Sequence, residues 1–131
     1  MDELQFAEGV LSVAEKMNAS TEHKEIINRF IVSKLYYGAH HLGRLLLKKR
    51  GETPDTWIGE VHLRVIKELR SKYVDTGLLS GASLSYLREL RLKRTKSDYF
   101  LNRGFQQEEM DKIFHIYRAF LDEVKVLLPS L

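Results

Sequence analysis

The stretch EHKEIINRFIVSKLYYGAHHLGRLLLKKR, residues 22–50, decides the fold class. Ile27, Ile31, Leu35, Gly38, Leu42, Leu45 and Leu46 recur in it at three- and four-residue steps, the spacing that lines one face of an α-helix. The spacing predicts one long helix from about Glu22 to Arg50. Gly38 within the stripe costs about 1 kcal/mol of helix propensity relative to alanine, which predicts close approach by a neighbouring helix. Lys48, Lys49 and Arg50 followed by Gly51 form a stop that suits the negative end of the helix dipole.

Working outward, a first helix is expected from about Glu3 to Met17, on Leu4, Phe6, Val10, Leu11, Val13 and Ala14. Asn18 to Thr21 breaks it, with Ser20 or Thr21 as the next N-cap. On the other side, Gly51 to Thr56 reads as a turn around Pro54, with Asp55 or Thr56 as a cap. A third helix is expected from about Trp57 to Tyr73, a fourth from Leu84 to Leu101, and a fifth from Gln106 to Leu128. The fifth turns Met110, Ile113, Phe114, Tyr117, Leu121, Val124 and Leu128 inward, and Pro129 closes it. Trp57 and Tyr73 read as exposed apolar residues. No window alternates at period two. The expectation is one all-α domain over residues 1–131, an up-down bundle of about five helices with a long second one.

The composition narrows the function. Of 131 residues, 44% are hydrophobic and 30% charged, with a formal charge of +3, a mildly basic balance that permits RNA or acidic partners without demanding them. With no cysteine there is no disulfide or thiolate metal site. The five histidines hold no His-x-x-x-His pair, so no metal is expected. No phosphate loop or other cofactor motif occurs either. The N-terminus lacks a signal-peptide pattern, and no apolar run approaches the ~20 residues of a membrane span. A cytoplasmic address follows, away from membranes. Scarce Asn and Gln beside abundant Lys, Arg and Glu hint at a thermophilic source.

One face breaks the pattern. On a helical wheel Leu84, Leu87, Arg91, Arg94 and Asp98 fall within about a quarter of the fourth helix's circumference. Two arginines and a carboxylate therefore continue a face that two leucines begin. Arg94 and Asp98 are four apart and can pair. Guanidinium groups recognise phosphate bidentately and stay charged when partly buried. On the second helix a polar stripe beside the apolar one carries Tyr37, His41 and Arg44. The candidate nucleotide- or RNA-binding residues are thus Arg91, Arg94, Asp98, Tyr37 and Arg44.

Several segments together resemble the HEPN family, specifically its small stand-alone prokaryotic members. They are Tyr36 to Leu47 in the long helix, Gly51 to Thr56 after it, Val74 to Leu79 before the fourth helix, and Arg94-Thr95-Lys96-Ser97-Asp98-Tyr99. The last is similar to an Arg-x-x-Ala-Asp-Tyr signature. The resemblance implies a helical bundle that homodimerises across the signature helices. It also implies pairing with a minimal nucleotidyltransferase in a toxin–antitoxin system. Many members are metal-independent ribonucleases using Arg and, four to six residues on, His. Arg94 matches the arginine, but Tyr99 stands where the histidine would, and Trp57 replaces the histidine usual after the loop threonine.

Three readings follow. In the first, a HEPN-type module binds nucleotide or RNA phosphates, or a nucleotidyltransferase partner, through Arg91 and Arg94. Asp98 then orients Arg94, and Tyr99 offers a hydroxyl or a stacking surface. In the second, a ribonuclease with an altered site uses Arg94 to stabilise charge, with His41 or Tyr99 moving protons. In the third, the cluster pairs across a purely structural homodimer interface.

Overall fold

The computed structural model describes all 131 residues, and every regular element is helical. Five α-helices run over Glu3–Asn18 (α1), Lys24–Lys49 (α2), Val61–Leu69 (α3), Gly81–Tyr99 (α4) and Gln107–Leu127 (α5). They enclose one hydrophobic core of 27 buried residues. No helix is long and apolar enough to cross a membrane.

The long helix is central. α2 packs against α1, α3, α4 and α5, so it is buried around more than one stripe. Val32, Tyr36, Ala39, His40 and Leu47 join the expected inward residues, while Ile27 and Leu45 are only partly covered. Two glycines admit neighbours. Tyr117 of α5 lies directly over Gly38, as the sequence predicts, and Val65 and Leu69 of α3 press on Gly43.

Antiparallel alternation, which short loops favour, holds for α1, α2, α4 and α5. α3 departs from it: His40 meets His62, Gly43 meets Val65, and Leu46 meets Tyr73, so α3 runs in the same sense as α2. The chain returns along α2 through a 3₁₀ turn, Pro54–Thr56, and an extended link. Gly59, at φ +90°, interrupts the helix expected from Trp57, and α3 begins only at Val61 without a side-chain cap from Asp55 or Thr56.

At the far end of α3 a π turn, Arg70–Val74, is closed by the Asp75 N–H on the Arg70 carbonyl at 2.8 Å. The exposed Tyr73 expected from the sequence is instead fully buried and donates its hydroxyl proton to the Leu46 carbonyl. Trp57 is half-buried, with the Arg64 guanidinium 4.0 Å from its ring centroid.

Side-chain caps set the starts of α1 and α4, while α2 starts without one. Asp2 and Gln5 form a reciprocal capping box on α1. α2 starts after His23, in the left-handed region at φ +51°, and not on Ser20 or Thr21. α4 starts three residues before the expected Leu84 because Ser80 caps it, its Oγ accepting the Ser83 N–H at 3.1 Å. The Glu123 carboxylate of α5 in turn accepts from the Ser80 N–H and both serine hydroxyls. Burial opposes the charge of Glu123, but these donors outweigh it and hold its carboxyl below the usual range.

Candidate functional site

α4 crosses α2 antiparallel, and its polar face meets the tyrosines of α2. Leu84, Leu87 and Leu90 fill the core over the first half of α4; past them Arg94 reaches Tyr37. Arg94 Nη2 donates to the Tyr37 hydroxyl at 2.9 Å, and Nε lies 3.0 Å from Asp98 Oδ2. This second contact is one of charge alone, because the buried Nε makes no aligned hydrogen bond. Burial works against the charge, but Tyr37 and Asp98 outweigh it and hold Arg94 firmly ionised. The guanidinium also sits 5.5 Å from the Tyr37 ring centroid and 5.8 Å from that of Tyr99. Arg94, Asp98, Tyr37 and Tyr99 thus form one group, Tyr99 standing exposed at its rim.

Behind Tyr37 lies a stack that sequence reasoning missed. The Tyr36 hydroxyl bonds His62 Nδ1, and the His62 ring stacks on His40 at 4.2 Å with a 21° tilt. Tyr37 meets His62 edge-on at 6.0 Å. Burial pushes the Tyr36 hydroxyl up to about 12 against the pull of Arg91 and Arg94, so it keeps its proton. Burial, then Arg94 and Arg91, lower the His62 pKa; burial, then His62 and Arg44, drive His40 down to about 3. Tyr36 and His40 are four apart, a spacing legible in the sequence. Nothing local announced His62, which another helix supplies.

The remaining candidates lie elsewhere. His41 packs edge-on against Phe6 at 5.1 Å, and burial lowers its pKa. Arg44 pairs with Asp55, which also takes Lys48 at 2.9 Å, while Lys48 reaches Glu3 at 2.6 Å. His41 and Arg44 therefore face the corner between α1 and the loop after α2. The imidazole brought to the Arg94–Tyr37 pair is His62.

Arg91 faces both this stack and an open groove of about 490 Å³ between α3 and α4. Leu63, Ile66 and Leu92 give the groove apolar surface, and Lys67, Arg70, Arg88 and Arg91 line it with positive charge. No carboxylate lines it, and none of the four cations is ion-paired, whereas their neighbours Lys93, Arg94 and Lys96 are matched by Glu109 and Asp98. No group of three or more His, Asp or Glu side chains gathers to hold a metal ion.

Compared with protein-family models, curated proteins and solved structures, the chain matches none.

The imidazole stack makes a pH prediction. The folded pKa of His40 lies below its ordinary 6.5, so stability is full above about 6.5 and falls as pH drops toward about 3, where only the unfolded chain takes up the proton. The loss from His40 alone should be roughly 5 kcal/mol across that window. Urea unfolding of the wild type and His40→Leu between pH 7 and pH 4 isolates it from the carboxylates. The variant's profile should be flatter; parallel profiles would sink the assignment.

Proposed function

We propose that the chain is a HEPN-type helical module that binds the phosphates of RNA or of a nucleotide in the α3–α4 groove. The observation that carries this is four unpaired cations, Lys67, Arg70, Arg88 and Arg91, on one groove free of carboxylate. Leaving like charges unmatched on facing helices is unfavourable, and an anionic ligand relieves it. Guanidinium forks suit phosphate oxygens, and the apolar surface suits a base or ribose. Arg94 plays the supporting part: its bond to Tyr37 ties α4 to α2 one turn from Arg91 and sets that side of the groove.

The same proposal includes a cytoplasmic, toxin–antitoxin-type role, as a homodimer beside a minimal nucleotidyltransferase. These rest on the resemblance of the Arg94–Tyr99 signature. Fluorescence anisotropy with a labelled 12-nucleotide RNA tests the binding. Arg88→Ala with Arg91→Ala should weaken affinity about 10- to 100-fold in a folded protein and flatten its salt dependence. Unchanged affinity would remove the reading.

A second reading, a metal-independent ribonuclease, is favoured by His62 beside the Arg94–Tyr37 pair. Arg94 would stabilise charge on the phosphorus, and His62 would take the proton-transfer role that the sequence assigned to His41 or Tyr99. RNA cleavage in the presence of a chelator, lost in both Arg94→Ala and His62→Ala, would establish it.

A further inference from the structure

The α3–α4 groove does not end at α4. A second open hollow, of about 590 Å³, lies beyond it, and the two share Arg88 and Leu92 in their walls. Arg88 and Leu92 are four apart, so they form a ridge along α4 between the hollows. Leu92 is 69% exposed on that ridge, an unusual position for a leucine with a basic hollow on either side.

The second hollow is lined by Arg88 and Arg103, which no carboxylate pairs, and by Lys93 and Lys96, which Glu109 neutralises. Its one carboxylate, Glu89, is held by Lys112 at 2.9 Å. Phe100 completes it, 45% exposed, with the Arg103 guanidinium 5.3 Å from its ring centroid. Two hollows with unpaired cations, the second on Arg88 and Arg103 alone, thus flank a ridge, and apolar surface is offered at the ridge and at the far side.

We infer that the ligand is single-stranded RNA lying across α4, its phosphates divided between the two hollows and its bases set on Leu92 and Phe100. This inference rests on the proposed phosphate-binding function and specifies its ligand. A single strand alternates phosphates with free base faces, and proteins that bind one combine a basic track with apolar or aromatic platforms. A duplex keeps its bases stacked inside, so Leu92 and Phe100 would meet nothing that matches them. A mononucleotide occupies one hollow only and would be indifferent to Phe100 and Arg103.

Anisotropy on the full 131-residue chain tests this with a labelled 12-nucleotide single strand, the duplex of the same sequence, and labelled ATP. The single strand should bind at least tenfold more tightly than either competitor. Leu92→Ser and Phe100→Ala, at exposed side chains, should each weaken it 5- to 10-fold and leave the salt slope unchanged. Arg103→Ala should lower that slope. A duplex or ATP binding as tightly as the strand, or full affinity in both folded Leu92 and Phe100 variants, would overturn the inference while leaving phosphate binding standing. Failure of all three ligands to bind would overturn both.

Discussion

Arg29→Met is expected to cost about 3–5 kcal/mol of folding stability, the range for removing one partner of a buried charged network. Arg29 comes from α2 and is only 7% exposed, yet its guanidinium stops the C-terminus of α4. Nη1 donates to the Ser97 carbonyl at 3.0 Å and the Lys96 carbonyl at 3.3 Å. Nη2 donates to the Leu101 carbonyl at 3.3 Å and to those of Phe100 and Arg103, with Glu25 at 3.1 Å balancing the charge. The last carbonyls of a helix have no partner within it and carry its negative dipole end, so a buried cation there satisfies both needs. Methionine fills similar volume but leaves the Ser97, Leu101 and Arg103 carbonyls bare, those of Lys96 and Phe100 keeping the Phe100 and Arg103 N–H groups.

Arg29→Lys should recover only part of the loss, since an ammonium cannot fork across carbonyls on both sides. Urea denaturation measures the effect; a loss under about 1 kcal/mol in Arg29→Met would show that water replaces the cap at no cost. The same cap holds the turn that carries Phe100 and Arg103. Any residual folded variant should therefore lose the second hollow before the α3–α4 groove.

Gly38→Ala is expected to destabilise by about 1–3 kcal/mol, the scale of overpacking in a tight core. In an open helix the same change would stabilise by about 1 kcal/mol, so even the sign is informative. A methyl on Gly38 would collide with the Tyr117 hydroxyl and come within 3.1 and 3.2 Å of its ring carbons. Tyr117 cannot yield cheaply, because it is fully buried and donates to the Ala7 carbonyl at 2.6 Å, linking α5 to α1.

Tyr117→Phe removes the nearest atom, so the double variant should lose less than the two single losses combined, with a coupling of about 1 kcal/mol or more. Thermal unfolding of the four proteins measures that coupling. A stabilised Gly38→Ala protein would mean that Tyr117 moves aside freely.

How much of the site was legible follows from these cases. Arg94 with Asp98 was readable, because a four-residue step brings two side chains together within one helix. The partners across helices were not. Tyr37 was singled out, but nothing in its own helix showed that the imidazole packed against it is His62. A ring on α2 can turn toward α1 or toward α3, and only packing chooses. The groove charges divide the same way: Arg91 was visible on the odd face of α4, but Lys67 and Arg70 faced it only once α3 lay parallel to α2.

The residue-22–50 pattern by itself determined an all-helical chain built on one long helix. Helical periodicity and stop signals are local, acting over one or two turns, so they survive without knowledge of neighbours. Tertiary structure alone decided which side of α2 is covered, that Tyr73 is core, and that Arg29 ends α4. It also decided which cations are neutralised and which stand free. Those outcomes depend on contacts between residues far apart in the chain, where burial makes an unmatched charge or carbonyl costly and the surviving arrangement is the one that matches them.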